Sequence, residues 1–463
     1  MKIAHFKDAM KKFFYLLSGL FLTSTLFGGC GGGGGVGGGA PATTTPKWTG
    51  TKQLGVAGAT TVAVGVAADT NGNVYVTGST TGAIDGVALS GSQDLFLTMY
   101  NSLGTKIRTR LLGITGKTTT ANSIAVDASG NVYVVGTTNG SLPSGSLPAN
   151  LVSGTQDLFL TKYNPAGVNL FTTQLGVTGS ITVATSVTVD LSGNVYVAGY
   201  TNGSLPSNTR AGTQDYFLAQ YSSLGVNQYT KQVGIAGANT AANGITVDTN
   251  GNVYVVGDTY GSLDVISRIG VRDLFLTKYN SAGAKIGSSI QIGIAGLPTV
   301  ATGVTVNASG DIFVTGYTFG GLSPNTVTGE RDLFLIKYDP ALGNMFRKQL
   351  GVASKITVAN SVAVDQSGNA YVGGYTHGSL DGQTLSGTNS QDFFLTKYDA
   401  TGTIVRTRQL GVAGKFTSAN SIALDLNGNV YVTGSTTGGL DKNTLSGTKD
   451  FFITKYDSAG AKQ

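Results

Sequence analysis

Glycine supplies 70 of the 463 residues, about 15 % and roughly twice the ordinary share, while charged residues make up 12 % and apolar ones 40 %. Sparse charge with ample Val, Leu, Tyr and Phe argues against disorder, the glycines have no three-residue period and so exclude collagen, and one glutamate, Glu330, beside 23 aspartates points away from helices. The formal charge of +6 is concentrated at the start, and beyond residue 29 the balance is 26 basic to 23 acidic residues with no Lys/Arg cluster, so nucleic acid is not expected as a partner.

Lys2, Lys7, Lys11 and Lys12 precede a mostly apolar run from Phe13 to Phe27, the length of a secretory signal and short for a membrane span. Phe27-Gly28-Gly29-Cys30 follows, and Cys30 is the only cysteine. This resembles the lipobox of bacterial lipoproteins, with Phe27 where leucine is usual; the resemblance implies a signal peptide over 1–29 and a diacylglycerol thioether on Cys30. The alternative is an ordinary signal cleaved near Gly29. Gly31 to Gly39 is glycine apart from Val36, and Ala40 to Pro46 is small and polar. Such a segment is a flexible tether of roughly 22 Å root-mean-square reach. The expectation is an exported protein, lipid-anchored at the bacterial cell envelope (outer membrane or cell surface) through residues 30–46.

Seven copies of one unit fill the rest. Asp-x-x-Gly-Asn-Val-Tyr-Val is headed by Asp69, Asp127, Asp190, Asp248, Asn307, Asp365 and Asp425. Asp-Leu-Phe-Leu-Thr-Lys-Tyr, with variations, starts at Asp94, Asp157, Asp215, Asp273, Asp332, Asp392 and Asp450, and Gln-Leu-Gly-Val-Ala-Gly has its first glycine at Gly55, Gly113, Gly176, Gly234, Gly293, Gly351 and Gly411. One unit reads as four strands. Ser123 to Asp127 is the first; Asp127 to Gly130 makes a tight turn in which Asp127 accepts amide protons and Gly130 takes positive φ. Asn131 to Gly136 is the second and Asp157 to Tyr163 the third, and the fourth ends at Gln174-Leu175-Gly176. The middle strands are apolar on both faces, as in radially stacked blades.

Lys47 to Gly55 is a lone fourth strand, and the chain leaves on a third strand, Asp450 to Tyr456. The predicted fold is therefore all-β, a seven-bladed β-propeller of four-stranded blades over 47–463, with the last blade closed by the N-terminal strand of residues 47–55. Both ends and the exposed edges are tied down that way. The combination SIAVD-x-x-GNVYVTG, SGTQDLFLTKY and QLGVAG is similar to the bacterial SBBP propeller repeat and, more distantly, to NHL-type repeats. The resemblance implies an exported propeller without an assigned activity.

Catalytic residue types are scarce. Beyond the signal there is one histidine, His377, which cannot make a histidine-rich metal centre. The turn Asp69-Thr-Asn71-Gly-Asn73 resembles a calcium loop superficially, without the carboxylates and bidentate Glu that such a loop needs. No catalytic residue, metal site or cofactor is assigned. More informative is where the repeats disagree. After the second strand one column reads Ser79, Thr137, Tyr200, Asp258, Tyr317, Tyr375 and Ser435, and two residues on the next reads Thr81, Asn139, Asn202, Tyr260, Phe319, His377 and Thr437. Residues two apart in a strand point to one side. Tyr200, Tyr260, Tyr317, Phe319, Tyr375 and His377 are thus candidate ligand-binding residues on the face that carries the interblade connections, together with the inserted loop Leu142 to Gly154. Packing between long loops is the alternative role for these rings. At the start of the first strand, Asn122, Thr185, Asn243, Thr302, Asn360 and Asn420 are expected to line the tunnel mouth and hold water, with Val64 at that position in the first copy. The leading functional expectation is a monomeric, non-enzymatic scaffold binding a protein or a glycan. An aspartate acid/base hydrolase of polysaccharide or a small ester, and a purely structural envelope component, are the alternatives.

Overall fold

The computed structural model describes residues 47–264 and 266–463; the signal segment, Cys30 and the tether lie outside the described residues. Seven antiparallel four-stranded sheets follow one another in chain order. Blade two shows the pattern: Thr119–Val126, Val132–Thr138, Asp157–Tyr163 and Asn169–Leu175. The two middle strands are buried at every position, as expected of β-branched and aromatic residues sandwiched between neighbouring blades. The core consequently lies between blades. Tyr133, Val135, Leu158 and Leu160 of blade two pack on Ala184, Val187, Val197 and Phe217 of blade three, and equivalent clusters recur around the ring.

The first strand begins earlier than the predicted Ser123. It runs from Thr119 and carries a bulge between Ala121 and Ser123. The stretch Thr119 to Asn122 hid it, because its alternation is carried by threonines, alanine and asparagine instead of large apolar side chains. Thr119 Oγ1 lies 3.2 Å from Thr138 Oγ1, and the same buried threonine pair recurs in every blade.

The ring closes as expected. Lys52–Leu54 pairs with Asp450–Tyr456 in the register Lys52 to Ile453 and Leu54 to Phe451. Trp48, 3 % exposed, seals the seam between blades seven and one, its ring centroid 5.5 Å from Tyr431 and 5.9 Å from Tyr100. It occupies the place that Phe171 takes under the turn glycine of the following blade: a Cβ on Gly104 would lie 2.7 Å from the indole, and one on Gly225 2.6 Å from Phe171.

Topology separates two faces. The loop face carries the connections from second to third strands and from blade to blade; the turn face carries the Asp-x-x-Gly turns. Backbone bonds stitch successive blades together on the loop face, as in Thr119 N to Gln93 O at 2.8 Å and, at the seam, Thr61 N to Lys449 O at 2.8 Å. The long loops do not stand up as a rim. Each drives one apolar plug into the body (Leu142, Leu205, Leu263, Leu322, Leu380 and Leu440 are all at most 2 % exposed). The loops then cover the outer edge: Asn150 and Asn208 donate to Thr172 O and Thr230 O of the fourth strands at 2.9 and 3.1 Å. The inserted loop of blade two follows the same path, with Gly145 bridged to Phe171. Unpaired edge backbone draws the loops outward and is capped by them.

Candidate binding face

The turn carboxylates are structural. Asp127 Oδ1 accepts from Ser129 N and Asn131 N at 2.9 and 2.8 Å, and Oδ2 accepts from Asn131 Nδ2 and the Tyr133 hydroxyl at 2.8 and 3.1 Å. Gly130 adopts φ +78°. In blade five the roles are exchanged: Asn307 Oδ1 accepts from Asp311 N at 2.8 Å, Asp311 ion-pairs with Lys337 at 2.9 Å, and Phe313 stands where a tyrosine hydroxyl would otherwise need an acceptor. The third-strand carboxylates are equally engaged. Asp215, fully buried, accepts from Ala211 N, Gly212 N and Gln232 Nε2 at 2.8, 2.7 and 2.9 Å. This carboxylate explains the glycine of the Gln-x-Gly motif, since a Cβ on Gly234 would lie 1.7 Å from Asp215 Oδ1.

The tunnel residues are also committed to the scaffold. Asn122, Asn243, Asn360 and Asn420 line a central cavity of about 150 Å³ with Thr185, Thr302 and Val64, as expected. Their donors nevertheless point sideways into the next blade, where Asn122 Nδ2 reaches Ala184 O at 2.7 Å and Thr185 Oγ1 reaches Ala242 O at 2.8 Å. Asn420 Nδ2 closes the belt on Ala63 O at 2.8 Å. In each case a carbonyl of the neighbouring first strand takes the donor.

The two variable columns emerge on the loop face, and their residues divide by role. In blades one, two, three and seven the second column is a staple: Thr81, Asn139, Asn202 and Thr437 accept from the connecting-strand amides of Thr60, Thr118, Ile181 and Phe416 at 2.8–3.0 Å. Tyr260, Phe319 and His377 make no such bond among the described contacts. Each instead stands beside an aromatic or cationic side chain of its own blade. Tyr317 and Phe319 meet edge-on with centroids 6.2 Å apart, and Tyr375 lies 5.9 Å from His377. The Arg331 guanidinium sits 4.8 Å from the Tyr317 ring and 4.5 Å from the Phe319 ring, and Arg272 lies 5.6 Å from Tyr260, which is 44 % exposed. Tyr200, on blade three, is paired across the sheet with Val183 and Tyr216 and, like Tyr260, has no ring contact to the other candidates among the described residues.

Arg272 and Arg331 were not singled out from the sequence. They occupy the position immediately before the third-strand aspartate, where the other copies have Gln93, Gln156, Gln214, Gln391 and Lys449, so a comparison of that column would have found them. The two differ in electrostatics. Arg272 is bidentate to Asp258, itself 2 % exposed, at 2.5 and 2.7 Å. Burial works against the Arg272 charge, but the Asp258 carboxylate outweighs it and lifts the guanidinium above its ordinary pKa. Arg331 has no ion-pair partner among the described residues, and its Nε is buried without a hydrogen-bond partner. Burial raises the Tyr375 hydroxyl pKa, with Arg331 pulling it the other way.

Beside His377 lies a groove of about 780 Å³ lined by Glu330, Lys355, Asn389, Ser390 and the half-exposed Phe416, among others. Blade six builds it with two extra residues between Gly387 and Asp392, where the other blades have two residues between glycine and aspartate and blade six has four. It also carries Ser354 at φ +55° and Asn389 at φ +56°. The other six connections have glycine at the Ser354 position. A serine held in the left-handed region is strained, and such strain gathers at functional sites.

Six stretches match the SBBP beta-propeller repeat family: residues 50–84, 107–143, 170–206, 228–264, 346–381 and 405–441. A WD repeat-containing protein L264 of Acanthamoeba polyphaga mimivirus, itself uncharacterized, is 24 % identical over 450 residues, covering 76 % of this chain and 32 % of that protein. The chain thus spans about a third of the length of that relative. Among solved structures, the polysaccharide lyase Uly1 aligns with a TM-score of 0.48 at 10 % identity, covering 91 % of this chain and 94 % of that one. The WD40 propeller domain of Doa1 aligns with a TM-score of 0.45 at 11 % identity, covering 88 % and 97 %. Each matched stretch starts in or just beside the fourth strand of one blade and continues through the first two strands of the next, the same register six times over. The chain is a seven-bladed β-propeller that carries the SBBP beta-propeller repeat in six of its stretches.

Proposed function

We propose that this propeller is a non-enzymatic binding scaffold, exported and held at the bacterial envelope by a lipid on Cys30, that takes a protein or glycan on the loop face of blades four to six. The observation that carries the reading is the division of one column into two uses. Four blades spend it on a small residue that staples the blade connection, while three adjacent blades give up the staple for Tyr260, Phe319 and His377. Sacrificing a local bond at one place in an otherwise regular repeat is the mark of a site. Aromatic faces beside guanidinium groups suit recognition by stacking and charge. The carboxylates favour binding over hydrolysis, since the third-strand aspartates are sealed in scaffold bonds and Asp258 is clamped by Arg272.

The test is a glycan-array and envelope pull-down screen with the protein and with a Tyr260→Ala, Phe319→Ala, Tyr375→Ala variant. A ligand held by the parent and lost from a normally melting variant supports the reading; equal retention by both refutes it. For the anchor, intact mass and fractionation should show the protein lipidated in the membrane fraction and the Cys30→Ser form released. A Cys30→Ser form that stays in the membrane fraction refutes lipidation.

A further inference from the structure

Resting on that reading, we infer that the ligand is an acidic polysaccharide whose carboxylate or sulfate is taken by Arg331, with its sugar rings laid on the aromatic side chains of this face. Arg331 is a cation without an anion. It is braced between the Tyr317 and Phe319 rings beside the Tyr375 hydroxyl, has no ion-pair partner among the described residues, and keeps a buried Nε with no acceptor. A guanidinium presents donors in a fixed fork that matches a carboxylate or sulfate, and bracing removes the rotamer entropy that an unsupported arginine would lose on binding. A buried donor without a partner is costly, and an incoming oxyanion would satisfy it. The neighbouring Arg272 shows what the position does when the chain supplies its own anion: it binds Asp258 through two bonds of 2.5 and 2.7 Å. In blade five the equivalent of Asp258 is Tyr317, so the carboxylate is missing where the arginine remains.

The chemistry of this face favours a glycan over an acidic peptide. A peptide added as a strand needs a free sheet edge, and outer edges in this ring are capped by loop asparagines such as Asn150, Asn208, Asn325 and Asn443. A sugar chain needs only flat rings for its apolar faces and a cation for its acid groups. Blades four to six offer both, in the exposed Tyr260, in Arg331 and in Tyr375 and His377.

The experiment is titration calorimetry of the full chain with polygalacturonate and with dextran sulfate, using dextran and poly-glutamate as comparators. The expected result is binding of at least one of the two acidic polysaccharides and none of dextran. Loss of a charge-assisted pair should weaken that binding roughly 10- to 100-fold in Arg331→Gln, and less in Arg331→Lys, which keeps the charge and the packed stem should the glutamine variant fold poorly. No binding of either acidic polymer, equal binding by parent and Arg331→Gln, equal binding of dextran, or tighter binding of poly-glutamate would each overturn the inference. If Arg331→Gln is neutral but the triple aromatic variant still loses a ligand, the anion assignment fails and the binding face stands. If both variants bind as the parent does, the binding face fails too.

Discussion

Trp48 is the side chain on which ring closure depends most, and replacing it by alanine gives a quantity that can be worked from the structure. The indole is 3 % exposed and fills the seam between Tyr431 of blade seven and Tyr100 of blade one, directly under Gly104. A buried tryptophan hides about 150–250 Å², and at about 25 cal/mol per Å² its burial contributes on the order of 4–6 kcal/mol. Partial collapse of the cavity brings the expected loss for Trp48→Ala to about 3–5 kcal/mol. Residues 47–463, with an unfolding entropy of about 2.1 cal/mol/K per residue, would turn that loss into a melting decrease of about 3–6 °C. Calorimetry measures the decrease, and hydrogen exchange locates it. Faster exchange should concentrate in Lys52–Leu54 and Asp450–Tyr456, whereas Phe171→Ala, which opens the corresponding pocket between blades two and three, should leave those strands protected. An unchanged melt, or loss of protection spread evenly over the ring, would refute the claim that the N-terminal segment closes the propeller.

Asp215→Ala should cost about 1–3 kcal/mol, because it orphans the buried Gly212 N–H and takes an acceptor from the part-buried bonds of Ala211 N and Gln232 Nε2; Gly234→Ala should also destabilise, and denaturant melts of both single variants and the double variant should show the second change to be cheaper once Asp215 is gone. Asn420→Ala, which strips Ala63 O of its 2.8 Å partner at the seam, should lower stability by about 1–2 kcal/mol and speed exchange between blades seven and one. Alkali should unfold the protein between pH ~10 and ~12. Burial raises the Tyr163 and Tyr216 hydroxyls to about 12, and the Tyr216 hydroxyl is also bonded to Tyr279 at 2.6 Å. Above pH ~10 the unfolded tyrosines release protons that the folded ones keep, so stability that is complete below pH ~10 falls as pH rises, by about 1.4 kcal/mol per unit for each such tyrosine. Denaturant titrations from pH 8 to 12 read the slope; a flat profile would contradict the burial of these hydroxyls.

Most of the fold was legible because the repeat states it seven times. Blade count, middle strands, the Asp127 turn with Gly130 and the closing N-terminal strand all follow from residues that alternate or recur. The start of the first strand was not legible, since Thr119 to Asn122 show no alternation of apolar and polar residue types: Thr119 and Thr120 pair with threonines of the second strand, and Asn122 reaches the next blade. Loop paths were equally hidden: nothing local says that Asn150 or Asn208 will turn outward to cap an edge. At the site, Tyr260, Tyr317, Phe319, Tyr375 and His377 stood out as disagreements among copies; Tyr317 meets Phe319 and Tyr375 meets His377, each within one blade, and Tyr260 lies beside Arg272. Tyr200 stood out in the same way and has no such contact among the described residues. Arg272 and Arg331 were overlooked because attention went to the aspartate that follows them, and only the three-dimensional stack joins each arginine to its rings.

The central claim is that the loop face of blades four to six receives the ligand, and a footprint tests it most directly. Hydroxyl-radical or exchange footprinting of the protein with a ligand from the array should protect Tyr260, Tyr317, Phe319 and Tyr375 while leaving the Asp-x-x-Gly turns on the opposite face unchanged. Protection confined to those turns, or to blades one and two, would contradict it.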